Sequence, residues 1–249
     1  MPENQHTRKE IEFKMTLCVH QPQYLPWLGY FDKIIKSDCF VFLDKVQYKH
    51  REFQNRNKIR TKDGWIWLTV PVVTKGLRGQ AVEDVEIDNS FKWQDEHLKS
   101  LKSWYSKAEF FKEYIGFFEK TYLEKSWGKL TDLNIHIIKY ILEQFNIDNP
   151  IYLESEIGTA CSATERIIEL CKKLKATKYL SGQGGKDYLD EKLFAQEGIE
   201  LLYQEFKHPV YRQCFSKDEN DFLPYMCVVD LLFNEGPKSR EILIDANYR

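Results

Sequence analysis

The chain has 249 residues, with 36 Lys and Arg against 38 Asp and Glu and a formal charge of −2, which excludes both a globally basic nucleic-acid binder and a strongly acidic solvating chain. Its 43% hydrophobic and 14% aromatic content rules out an extended disordered polymer. A chain of this length buries roughly 70–75% of its unfolded surface without a metal or disulfide staple.

The first fourteen residues are polar and of mixed charge, with no signal-peptide apolar region, and read as a flexible tail ahead of one α/β domain over 15–249. Met15, directly before the first strand signal, is an alternative natural start. No apolar run approaches the ~20 residues that a membrane span needs. Leu17-Cys-Val is a strand candidate, and residues 20–29, with Pro22 and Pro26, form a loop. A short amphipathic helix over 30–37 precedes Cys39-Phe-Val-Phe-Leu43, an unbroken apolar run that suits a strand buried on both faces. Strand, loop, helix, strand is a βαβ signature. The expected fold is α/β, a mostly parallel sheet flanked by helices in a Rossmann-like three-layer arrangement, with ligands at the carboxyl ends of the strands.

Residues 44–62 are polar; strand character resumes at Trp65-Ile-Trp-Leu-Thr-Val70, and a further strand is expected around 82–87. Over 91–145 the apolar period changes from strand to helix, most clearly at Leu130, Leu133, Ile137, Ile138, Ile141 and Leu142, so a helical block of roughly three helices follows. It covers one face of the sheet or forms a small subdomain. Beyond it come a strand at 151–153, a helix opened by the capping-box pattern Ser162-Ala-Thr-Glu165, a strand at 178–181 and a tight loop at 182–186. A helix at 188–196, a strand at 200–206, a turn at 208–211, a short apolar helix at 227–234 and a frayed end complete the chain. The six cysteines show no C-x-x-C or metal-knuckle spacing. Reduced thiols, a cytoplasmic setting and no metal are therefore expected.

Four clusters could carry chemistry. His20, Gln21, Gln23 and Tyr24 lie on the first loop after a strand, where prolines hold side chains in fixed directions and a histidine can act as general base or acid. The bland alternative is a histidine tied to a backbone carbonyl with glutamines capping the loop. Asp44, Gln47, Gln54, Asn55, Arg56 and Lys58 follow the second strand, and residues 45–62 hold seven Lys or Arg and one acid. This asymmetry suits an anionic ligand, with Arg56 and Lys58 on one face of an extended segment, although a solvated charge run reads the same way. Tyr48 and Phe53 would also suit single-stranded nucleic acid, but one short loop in a slightly acidic chain argues against it. Lys186 and Asp187 sit in a Gly-rich strand-to-helix junction that is neither a Walker loop nor a dinucleotide fingerprint. His208 and Tyr211 lie beyond a strand, and Asp230, on an apolar helix, needs a specific partner such as a loop amide, His208 or an Arg. Trp27, Trp65 and Trp67 read as core or pocket wall.

The string His20-Gln-Pro-Gln-Tyr-Leu-Pro-Trp-Leu-Gly-Tyr-Phe-Asp-Lys-Ile34, followed by Val41-Phe-Leu-Asp44, Val46-Gln-Tyr48 and Phe53-Gln-Asn-Arg-Asn57, resembles the WbqC-like family. Tyr179-Leu-Ser-Gly182, Gly185-Lys-Asp-Tyr-Leu189, His208-Pro209 and Asp230-Leu-Leu-Phe-Asn234 extend the likeness. The resemblance implies a protein of bacterial O-antigen and surface-polysaccharide clusters. It further implies an enzyme that transfers an acyl or aminoacyl group, with glycyl as one candidate, to the amine of a nucleotide-linked 4-amino-4,6-dideoxy sugar. On that reading His20 takes a proton, Asp44 and the glutamines hold the sugar, Arg56 and Lys58 hold a pyrophosphate, and His208 or Tyr211 stabilises an oxyanion. No cofactor is needed beyond an acyl donor such as acyl-CoA or an acyl carrier protein. A non-catalytic sugar-nucleotide-binding protein and an ATP-using ligase or nucleotidyl transferase remain alternatives. The chain departs from the family pattern in its first fourteen residues and at Phe222-Leu-Pro-Tyr-Met-Cys227, where more polar sequences are usual.

Overall fold

A computed structural model describes residues 14–77 and 79–248, so the expected tail lies, apart from Lys14, outside the described residues. The strands are β1 (Thr16–His20), β2 (Cys39–Phe42), β3 (Arg56–Thr61), β4 (Gly64–Thr69), β5 (Ile151–Leu153), β6 (Lys178–Ser181) and β7 (Glu200–Tyr203). Five of them form a sheet in the order β5-β2-β1-β6-β7, with every pairing parallel. The helices are α1 (Leu28–Ile35), α2 (Trp93–Tyr105), α3 (Phe111–Glu119), α4 (Leu130–Gln144), α5 (Glu154–Ile157), α6 (Ala163–Lys173), α7 (Glu191–Gln196), α8 (Val228–Glu235) and α9 (Ser239–Tyr248).

The apolar runs of β1 and β2 follow from burial on both faces. Cys18, Phe40 and Phe42 point into a core shared with α1, α4 and α8. Their neighbours Leu17, Val19, Cys39 and Val41 point the other way, into a core with α6 and α7. Alternate side chains of one strand thus enter opposite layers, as a covered parallel sheet requires. The helical block, α2 to α4, shares the first of these cores, with Phe118 and Phe111 packed on Phe233 of α8 and Phe145 on Phe31 of α1.

The structure departs from the sequence expectation at four places. The stretch read as polar loop contains β3, which pairs antiparallel with β4 as a separate hairpin. Asn57, Ile59 and Thr61 are its buried face, and a mixture of amide, aliphatic and hydroxyl groups gave no apolar alternation to recognise. The strand expected near residue 85 is a short 3₁₀ turn, Val82–Asp84, followed by single bridges from Ile87 to Val72 and from Glu86 to Lys129. The expected frayed end is α9, anchored by the fully buried Leu243. Finally, α6 begins where the capping box places it, but the Ser162 side chain makes no cap hydrogen bond, whereas Asp190 caps α7 by accepting from the backbone N–H groups of Lys192 and Leu193.

The loop between β1 and α1 is stitched into the molecule from several sides. The Asn134 amide of α4 donates to the carbonyls of Pro22 (3.2 Å) and Gln54 (2.8 Å), and the Asn57 amide donates to that of Leu25 (2.6 Å). The Tyr24 N–H donates to the Phe53 carbonyl, and the Val228 N–H to that of Pro26. Gly29 closes the loop against Trp27, whose ring would lie 2.2 Å from any added Cβ. Asn134 is fully buried, so Asn134→Ala strands two carbonyls away from water; a loss of roughly 1–3 kcal/mol in urea unfolding is expected.

Candidate functional site

β1 hydrogen-bonds β2 on one side and β6 on the other, and from these two central strands the chain proceeds outward in opposite directions. Their carboxyl ends therefore diverge into a crevice, the position at which doubly wound sheets take ligands. A cavity of about 450 Å³ lies there, lined by His20 and Gln21 from β1 and its loop, Lys33 from α1, Lys49, and Ser181, Gly182, Gly185, Asp187 and Tyr188 from the end of β6 and the turn beyond it.

His20 lies with its ring 4.9 Å from that of Tyr30, and its Nδ1 is 3.2 Å from the Gln21 carbonyl. A carbonyl at Nδ1 makes that nitrogen the N–H donor and leaves Nε2 as an acceptor. Burial, aided by the nearby Lys33 charge, lowers the His20 pKa to about 3, so the imidazole is neutral at physiological pH. The Gln54 amide donates to Gln21 Oε1 (3.1 Å) and its own Oε1 accepts from the Lys49 N–H (2.8 Å), which fixes how the Gln21 amide faces. Across the cavity Gly185 stands where an added Cβ would meet Ser181 Oγ at 2.0 Å, so a side chain there would push the Ser181 hydroxyl from its hydrogen bond to the Gly182 carbonyl.

Lys33 was not singled out by the sequence. It is 4% exposed, and its Nζ donates to the Val19 carbonyl at 2.9 Å. Among the described residues no carboxylate lies within ion-pair distance of it. Burial lowers its pKa to about 8, against a smaller opposing effect of the Cys18 thiol. The amphipathic reading of this helix leaves Lys33 solvated, whereas every residue from Leu28 to Ile34 is buried, which local pattern does not show.

The remaining candidates divide between structural contacts and other surfaces. Asp44 is buried and accepts hydrogen bonds from the Ser155 N–H and hydroxyl, tying the end of β2 to the start of α5. The Tyr24 hydroxyl meets His97 Nδ1 and the Tyr122 hydroxyl in the core. Gln23 is buried with no partner for its Oε1, Gln47 bridges to Ala81, and the Asn55 amide donates to the Val70 carbonyl. Arg56 and Lys58 do share a face of an extended strand, but neither lines the cavity. Arg56 lies over Trp67 at 4.3 Å and Lys58 over Trp65 at 4.2 Å. Trp65, expected in a core or pocket wall, is 43% exposed, and its ring packs edge-on to Trp67. Lys186 lies over the Tyr203 ring at 5.1 Å, outside the cavity that Asp187 lines.

His208, Tyr211 and Asp230 belong to a second cluster. His208 spends both ring nitrogens, one on the Pro209 carbonyl and the other on the Tyr225 N–H. Asp230 is fully buried and accepts from the hydroxyls of Tyr105 and Tyr211, each at 2.8 Å, and from the Gln213 amide at 2.7 Å. Burial raises its pKa, while these bonds and the Arg60 charge oppose the rise. Its partners are thus tyrosines, a loop amide and an arginine field, and not His208. Tyr211 and Gln213 line a separate cavity of about 420 Å³. The acyl-transfer reading uses His20, Asp44, Arg56 and His208 together, but of these four the cavity is lined by His20, while Asp44, Arg56 and His208 make the contacts given above.

The Lys33 amine loses its proton near pH 8 when folded and near its ordinary value of 10.5 when unfolded. The unfolded chain binds more protons between these values, so stability rises with pH through that window and the penalty is complete below it. Lys33→Met should therefore raise the unfolding free energy at pH 7 by on the order of 1–3 kcal/mol, with the gain shrinking by pH 10.5, as measured by urea unfolding at both pH values.

The family model of the WbqC-like protein family matches residues 21–242. The chain is also 33% identical, over 227 residues that make up 91% of it and 96% of the relative, to the uncharacterized protein Rv1507c of Mycobacterium tuberculosis (strain ATCC 25618 / H37Rv). No solved structure matches it.

Proposed function

Since the chain belongs to the WbqC-like protein family, we propose that it is an enzyme of bacterial surface-polysaccharide biosynthesis that transfers an acyl or aminoacyl group, glycyl among the candidates, to the amine of a nucleotide-linked 4-amino-4,6-dideoxy sugar. The observation that carries this reading is the cavity at the divergence of β1 and β6, where a neutral imidazole, an oriented amide and cationic side chains meet. Neutral His20 Nε2 accepts a hydrogen bond from the sugar amine, the Gln21 amide contacts sugar hydroxyls, and Lys49 offers charge to a phosphate. The amine nitrogen attacks the carbonyl carbon of a thioester donor, such as acyl-CoA or an acyl carrier protein. The C–N bond forms, the C–S bond breaks, and the displaced thiolate takes a proton lost by the amine.

A second reading, a protein that binds the sugar nucleotide without altering it, is favoured by the weak basicity of His20 and by the use of Asp44 on Ser155. Thermal-shift screening against nucleotide sugars, ATP and acyl donors, with product detection by mass spectrometry, separates the two. A ligand at 100 times its Kd adds about 2.7 kcal/mol to stability. We expect stabilisation by an amino-sugar nucleotide and a new acylated product, with His20→Ala lowering turnover on the order of tenfold, the loss of one positioning hydrogen bond. Stabilisation without product points to the binding protein, and an ATP requirement to a ligase.

A further inference from the structure

Lys33 differs from the other deeply buried cations in what surrounds it. Arg60, 2% exposed, reaches Asp221 at 3.2 Å and lies in the field of Asp230. Lys33 has a backbone carbonyl and an opening into a cavity. Cys18 and His20 of β1 interact with it electrostatically, and Lys49 from the segment after β2 and Tyr179, Asp187 and Tyr188 around β6 line the same cavity. None of these carboxylate or phenol groups is within hydrogen-bond reach of its Nζ. An uncompensated ammonium inside a protein is costly, and lysines in such places serve as bases or nucleophiles because desolvation frees the amine.

We propose that Lys33 is the proton acceptor of this cavity, the unprotonated form of its amine taking a proton from the ammonium group of an amine-bearing ligand seated between β1 and β6. The ligand's N–H bond breaks, an N–H bond forms on Nζ, and the proton later leaves to water or to the departing thiolate. The identity of that ligand rests on the function proposed above; the state of the Lys33 amine does not. His20 cannot take this part, because it holds a proton far too weakly. A pKa near 8 is matched to an amine substrate at neutral pH, the condition under which proton transfer is efficient.

Trace acetylation of the native full chain with acetic anhydride from pH 6 to pH 11, read lysine by lysine by peptide mass spectrometry, tests the assignment. Lys33 should label with a midpoint near 8, well below the ordinary lysine value of 10.5. A midpoint with the surface lysines, or no labelling of Lys33 at any pH at which the fold persists, overturns the proposal. dTDP-4-amino-4,6-dideoxyglucose, as the amine-bearing probe, should protect Lys33 from the reagent. Binding of that probe by thermal shift without protection also overturns it. A midpoint near 8 with no binding supports Lys33 as the free amine and sinks only the sugar-nucleotide reading. Where turnover is measurable, Lys33→Arg should lower kcat/KM by about 10²–10⁴-fold and abolish the acidic limb of its pH profile near 8, a change that a purely structural lysine would not produce.

Discussion

The placement of β1 between two parallel partners governs the rest of the molecule. A strand hydrogen-bonded on both edges and covered on both faces has only its ends left for polar chemistry. Its amino end joins the chain entering the domain. Its carboxyl end, shared with β6, opens where the two halves of the sheet part company. His20 is the last residue of β1 and Ser181 the last of β6, so the crevice brings together groups that are far apart in the chain, to which the loop after β1 and the turn after β6 add Gln21, Asp187 and Tyr188.

The two buried polar clusters show opposite electrostatic logic. Around Asp230 each carboxylate oxygen has a donor, and the ring of two tyrosines and Gln213 leaves the charge satisfied. Such a network locks α8 to α2 and to the 208–213 segment, and its removal would strand a charge. At the switch point the balance is unfinished. His20 is kept neutral and Lys33 carries its amine with one carbonyl for company. A buried ionisable group with little compensation, in a crevice, marks a candidate functional site.

The hairpin β3–β4 plays a supporting part. Its inner face, through Asn57 and Ile59, packs under the first loop, and Gln54 just before it orients Gln21. Its outer face carries Arg56 and Lys58 over two tryptophans. Cations laid on indole faces have part of their charge engaged there; of the basic run after β2, Lys49 lines the cavity and Arg56 and Lys58 do not.

The sequence by itself determined the layered α/β architecture, because unbroken apolar runs at Cys39–Phe42 and a 3.6-residue stripe along 130–142 have few other places to go. It also located His20 and Gln21 at the end of a strand, since two prolines forbid the strand to continue. Local pattern could not show that β3 exists, as its inner face carries a single aliphatic residue, Ile59, between Asn57 and Thr61. Nor could it show that Asp44 is spent on a serine 111 residues away, or that a lysine in an apolar helix lacks a counter-ion. Those are statements about what is nearby in space. Burial and the choice of hydrogen-bond partner belong to the packed molecule, and the same lysine is ordinary in water and reactive only where packing has removed the water around it.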